Sequence, residues 1–265
     1  AKGVKAILVS GDQDAPSELV VGLNDRDPRF HDLYVIDVNN GQRRLLYRST
    51  DDGRNVSVDW IDGVWQPVLR SQVLADGGSA WELRLPGEAD WRPFLKFSFE
   101  DTISGSGPSA FTRDGQWLYG ILSTDEEIPR LVRWSRDHLK TCGDDCTPEL
   151  VYRSSAGALG GALSDPETGL PVALNEVDLR RRLVVLDPSI QQDVDQLKRL
   201  AGTNDFSVVD QDLNDRRWLV VVGSDDQGPQ YLLWDRDRQQ SRRLVSVQPR
   251  VDHYELRPME GLSLR

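Results

Sequence analysis

The chain has 265 residues, 38% of them hydrophobic and 28% charged, with a formal net charge of −11. That length suffices for one large all-β domain or two small ones. An acidic balance whose longest basic run is Arg180-Arg181-Arg182 argues against nucleic-acid binding, and no apolar run has the length of a membrane span or a signal peptide.

Short apolar runs rich in Val, Leu, Ile, Tyr and Trp, broken by Asp, Asn, Gly and Pro, read as strands. They recur in groups of four. The first group covers Ala6–Ser10, Glu18–Leu23, Asp32–Val38 and Arg44–Arg48. The second covers Val56–Trp60, Gln66–Val73, Ala80–Leu85 and Trp91–Phe97. The third covers Pro108–Phe111, Trp117–Leu122, Arg130–Trp134 and Glu149–Tyr152. The fourth covers Gly160–Leu163, Pro171–Asn175 and Arg182–Leu186, its last element displaced by a helix. The fifth covers Phe206–Asp210, Trp218–Val222, Gln230–Trp234 and Ser241–Val245.

The helix is expected over Ser189–Leu200, where Ile190, Val194, Leu197 and Leu200 fall at helical spacing between Pro188 and Gly202. Many strands are apolar on both faces, such as Leu219-Val220-Val221-Val222, so sheets covered on both sides are expected. A repeat of roughly 40–50 residues with four strands each is the signature of propeller blades. The fold class is therefore all-β, a β-propeller of about five four-stranded blades over residues 1–255, with blades near 1–50, 51–100, 101–155, 156–204 and 205–250. Most of the eight tryptophans lie inside strands, where packing between blades is their expected role.

Particular segments point further. Phe111-Thr112-Arg113-Asp114-Gly115 before Trp117-Leu118-Tyr119 resembles the turn between first and second blade strands in prolyl oligopeptidase family propellers. Leu33-Tyr34-Val35-Ile36-Asp37 with Gly41 and Leu45 resembles their outer strands. The segment from Asn24 to Tyr34 is similar to one in bacterial acylaminoacyl-peptidase-like members, and Leu256–Arg265 resembles the linker into an α/β-hydrolase domain. The family implies a larger propeller of about seven blades and a C-terminal α/β-hydrolase domain, which would be this chain's partner. The chain is then expected to be a fragment lacking its first blades and that domain, with 256–265 as linker. Ala1 in place of Met is read the same way.

The chemistry that such a hydrolase needs is absent from these residues. No Gly-x-Ser-x-Gly elbow occurs, and Ser104-Gly105-Ser106-Gly107 reads as a loop between blades. The three histidines, His31, His138 and His253, stand in no recognisable acid–base setting. This chain is expected to have no catalytic residues, no cofactor and no metal. Its role by resemblance is to gate peptide substrates and dock on the hydrolase domain. The rival reading is a free-standing propeller that binds a protein or small ligand.

Four residues are candidates for substrate contact. Dipeptidyl-peptidase members of the family bind the substrate's amino group with paired glutamates, which suggests Glu126 and Glu127. A solvated hairpin loop is the plainer reading there. Arg26 and Arg29, in the loop that ends at His31, could reach substrate or the hydrolase interface, although pairing of Arg26 with Asp27 to stiffen a long turn is favoured. Asp51-Asp52, Asp144-Asp145 and Asp225-Asp226 lack the calcium-loop spacing and read as turns. A zinc site would need more ligands nearby than His138, the only candidate, so Cys142 and Cys146 are read as either free thiols or a small loop disulfide. A disulfide would favour the periplasm over the cytoplasm. Missing blades would leave unpaired edges and apolar faces, so closure into a smaller ring or self-association is expected.

Overall fold

A computed structural model of the chain describes residues 3–50, 53–124, 128–143, 146–155, 157–202 and 204–260. Five antiparallel sheets hold the strands in strict chain order, each strand pairing with the next. This meander is a propeller blade, because neighbouring strands need only short hairpin turns. Blade 1 is β1 (Ala6–Gly11), β2 (Glu18–Asp27), β3 (Phe30–Asp37) and β4 (Arg43–Tyr47). Blade 2 is β5 (Asn55–Ile61), β6 (Val64–Val73), β7 (Ser79–Leu83) and β8 (Arg92–Phe97). Blade 3 is β9 (Gly107–Phe111), β10 (Trp117–Leu122), β11 (Arg130–Ser135) and β12 (Glu149–Arg153). Blade 4 has three strands, β13 (Ala158–Ser164), β14 (Pro171–Val177) and β15 (Arg181–Val185). Blade 5 is β16 (Asp205–Gln211), β17 (Arg217–Gly223), β18 (Gln230–Asp235) and β19 (Gln240–Ser246).

The blades fall into two compact units, residues 1–153 with blades 1 to 3 and residues 154–265 with blades 4 and 5. In the first unit, Val20, Leu33, Val35, Val58 and Trp65 form one core between blades 1 and 2. A larger core joins blades 2 and 3 through Ile61, Leu69, Leu83, Phe94, Leu118 and Trp134. Each such side chain is nearly or fully removed from water, which contributes about 1.5–3 kcal/mol per residue. The turn read as Phe111–Gly115 is built as its composition requires. Thr112 Oγ1 donates to the Asp114 carboxylate at 2.6 Å, and Gly115 adopts φ 63° with Ile61 where a Cβ would lie.

In the second unit a 3-10 turn at Pro188–Ile190 leads into α3 (Gln191–Ala201), where a fourth strand of blade 4 would stand. Two further helices precede it, α1 (Phe99–Ile103) and α2 (Arg136–Thr141). Ile190, Val194, Leu197 and Ala201 of the long helix enter the core with Leu183, Phe206, Trp218 and Trp234. Here the sequence expectation needs correcting. Leu200 is exposed and Ala201 takes the buried position, because the third step of the helical face, from Leu197, is i+4 and not i+3. Asp193 fixes the helix onto blade 5. Its buried carboxylate accepts from Trp234 Nε1 at 2.9 Å, Arg236 Nε at 3.0 Å and Gln239 Nε2 at 2.6 Å.

α1 and α2 each span one turn or little more, too short for a periodic apolar pattern. Ser98 and Ser135 cap them, accepting from the backbone N–H of Asp101 and His138. No helix among the described residues is long and apolar enough to cross a membrane.

Candidate functional site

The segment read as a long turn from Asn24 to His31 is instead a hairpin. β2 and β3 continue to Asp27 and Phe30 and close over Pro28 and Arg29, with an irregularity between Leu23 and Asp27. Asn24 is buried, and its side chain accepts from Lys5 N at 2.5 Å and donates to Pro28 O at 3.3 Å. These bonds extend the hairpin beyond the sheet as a stiff projection.

The two arginines on that projection have different roles. The sequence suggested that Arg26 pairs with Asp27; after the Arg29 hydrogen bonds, its charge does help to lower the Asp27 carboxyl, but its own hydrogen bonds go to Asp32 and Ser49. It binds Asp32 through two bonds of 2.6 and 2.8 Å and also donates to Ser49 O at 2.8 Å. Asp32 is 1% exposed in its side chain and also accepts from Ser49 N. The Arg26 hydrogen bond, opposed by burial, holds its carboxyl below the usual range. Arg26 therefore ties the hairpin to the linker that leaves blade 1, a structural task. Arg29 takes Asp27 instead, at 2.8 Å, and lies over the Phe30 ring at 4.8 Å. Its side chain remains 66% exposed, so it can meet a ligand without leaving its partner.

Beneath Arg29 is a cleft of about 350 Å³ between the hairpin and the start of blade 2. Ile7, Val9, Phe30 and Val56 supply apolar wall, and Arg29, His31 and Arg54 supply donors. His31 Nε2 is buried with no hydrogen-bond partner. Arg54 also bonds Glu82, which in turn accepts from Arg70 at 2.6 Å. An apolar groove with cationic donors on one side suits a short peptide with a carbonyl or carboxylate to satisfy.

Other sequence candidates are placed elsewhere. Glu126, Glu127, Asp51, Asp52, Asp144 and Asp145 lie outside the described residues, as do 261–265 of the proposed linker. Asp225 is no free turn residue: it pairs with Arg180 at 3.0 Å and accepts from the backbone of Met259 in the tail. Cys142 and Cys146 form a disulfide with Cα atoms 5.1 Å apart. Ser104 ends α1, and Ser106 Oγ is a buried acceptor for Ser123 N, so this stretch is no nucleophile elbow. Among the described residues no histidine ring is hydrogen-bonded to a serine hydroxyl or a carboxylate.

Sequence reasoning missed the acids that brace blades 1, 2 and 4, namely Asp32, Glu82 and Glu176, because folding brings their partners to them from other strands and linkers. Glu176 in β14 is the fullest case. It is fully buried and accepts from the Ser154 hydroxyl, from Ser155 N at 2.9 Å and from Arg182 at 2.7 Å. Burial pushes its carboxyl up, but these bonds outweigh that and hold it at about 2. Asp59 in β5 is the opposite case. It accepts one bond, from Phe111 N at 3.1 Å, and burial pushes it up to about 6.

No protein-family model matches the chain. It is 30% identical over 243 residues to dipeptidyl aminopeptidase BIII of Pseudoxanthomonas mexicana, a match covering 92% of this chain and 33% of that protein. The chain thus spans about a third of the length of the curated relative it matches. Among solved structures it resembles a puromycin-hydrolyzing peptidase of Mycobacterium tuberculosis, with a TM-score of 0.50 and 13% identity over 92% of this chain and 38% of that one. A prolyl endopeptidase structure aligns with a TM-score of 0.46 and 12% identity, over 92% of this chain and 42% of that one.

Proposed function

We propose that this chain, 30% identical to a dipeptidyl aminopeptidase over 92% of its length, is a β-propeller of the prolyl oligopeptidase family and the non-catalytic part of a serine peptidase. The observation that carries the reading is the 92% span of that match by a chain containing blades and no nucleophile elbow. The propeller docks on an α/β-hydrolase domain and gates the access of peptides to it. The hairpin carrying Arg29, with the cleft below it, is the part of this chain suited to meet peptide or the hydrolase surface.

The reading is tested by the native gene beyond the codon for Arg265. An open frame of roughly 250 residues carrying Gly-x-Ser-x-Gly, then Asp and His, is expected. A stop codon at that point would overturn it.

A further inference from the structure

We propose that Cys142 and Cys146, when reduced, join His138 in a zinc site, so that the loop between α2 and β12 carries one of two exchangeable cross-links. The ligand atoms of these three residues lie within 4.8 Å of one another. Their placement is built by the local fold. His138 and Cys142 are four residues apart at the end of α2, and Cys142 N donates to His138 O at 2.8 Å, so both project from one side of the last turn. Ser135 caps that helix by accepting from His138 N at 3.1 Å. Cys146 is held separately, by the Trp134 indole donating to its carbonyl at 2.8 Å within the buried core of blade 3. Arg92 binds Leu139 O from blade 2 and fixes the helix from the other side. The helix, the cap and the indole bond do not depend on the sulfur–sulfur bond, so they present the same three groups after it opens.

The donor set selects the metal. Two thiolates and an imidazole suit Zn²⁺, at about 2.3 Å for sulfur and 2.0–2.1 Å for nitrogen, with water as the fourth ligand. His138 is exposed and Cys142 half-buried, which gives an entry path, while Cys146 is buried. A tetrahedral site needs the sulfurs about 3.8 Å apart, which side-chain rotation at Cys142 can supply.

The exchange balances. A dithiol reductant gives two electrons and two protons to the disulfide, leaves as its own disulfide, and yields two thiols. Zn²⁺ then displaces both thiol protons into solvent and takes neutral imidazole as third ligand. The oxidised pair excludes the metal, because both sulfurs are spent on each other.

The test is a Co²⁺ titration of the chain in a phosphine reductant, with the oxidised chain beside it. The reduced chain is expected to bind one Co²⁺, with a thiolate-to-cobalt charge-transfer band and intense tetrahedral visible bands that Zn²⁺ bleaches. The oxidised chain is expected to show neither. Outer partners of a ligand are worth about 10- to 100-fold in affinity, so His138→Ala is expected to weaken binding by at least that much. Where reduction loosens blade 3, Zn²⁺ is expected to restore the far-ultraviolet spectrum. Absence of the charge-transfer band, equal uptake by oxidised chain, unchanged affinity in His138→Ala, or a loosened spectrum that Zn²⁺ leaves unrestored would each overturn the proposal.

Discussion

Asp59→Asn should make the protein more stable at neutral pH and little more stable in acid. Asp59 lies in β5 with a single bond, from Phe111 N, and burial raises its carboxyl from 3.8 to about 6. The folded chain therefore holds this proton to a higher pH than the unfolded chain. Well below the ordinary 3.8 both states are protonated and the site is neutral in effect. Between about 4 and 6 stability falls as pH rises, and above 6 the cost is constant. A shift of about two units at 1.36 kcal/mol each makes that cost about 3 kcal/mol. Asparagine has the shape of the protonated acid and can accept the same N–H without charge. Urea unfolding at pH 7.5 and pH 4 measures the effect. With a slope of about 3 kcal/mol per molar, the variant's midpoint at pH 7.5 should rise by about 1 M. At pH 4, where the unfolded carboxyl is about half ionised, the gap should shrink to about 0.2 M. An equal gap at both pH values, or a less stable variant at pH 7.5, would refute the assignment of this cost to a buried charge.

Glu176→Gln should show the reverse dependence. Its carboxyl is held at about 2 against an ordinary 4.5, so its contribution of about 3 kcal/mol is present above pH 4.5 and is lost as pH falls toward 2. Urea unfolding should therefore find the variant weaker at pH 7 and closer to the parent near pH 3. Asp193→Ala leaves the Trp234 indole and Arg236 without their acceptor. It should cost about 3 kcal/mol and release α3, read as faster amide exchange in Gln191–Ala201 while exchange in β9–β12 stays unchanged. Arg29→Glu should leave thermal stability within about 0.5 kcal/mol, since that side chain is mostly exposed. If the full-length product is the peptidase proposed above, the substitution should raise its KM for peptide substrates with little change in kcat. An unchanged KM would remove Arg29 from the substrate path.

The strands were legible because each blade is local. Consecutive antiparallel strands joined by short turns leave their whole pattern within roughly 50 residues, so the repeat shows in Val, Leu and Trp spacing alone. The long helix was legible for the same reason, down to Val194 and Leu197. The one-turn helices were not, because their formation rests on the Ser98 and Ser135 caps and not on an apolar stripe. The site was harder to read. Arg26 hydrogen-bonds across six residues to Asp32, because strand pairing brings Asp32 back beside it. The cleft joins β1, the blade 1 hairpin and the start of β5, and no single stretch of sequence contains it. Glu176 draws partners from both sides of β13, which is again a product of folding.

β1 stands at the edge of its sheet, with apolar side chains exposed on both faces. Ile7 and Leu8 are 51% and 67% exposed. Light scattering on the isolated chain is expected to show self-association that weakens in Leu8→Lys. A monodisperse monomer at high concentration would count against it.

On the proposed function, these residues shape and guard a peptidase without performing its chemistry. Labelling with a fluorophosphonate probe, which reacts only with an activated serine, tests this directly. No labelling of residues 1–265 alone is expected, and stoichiometric labelling, outside these residues, of the product of the full gene. Labelling of any serine within 1–265, or none in the full product, would contradict it.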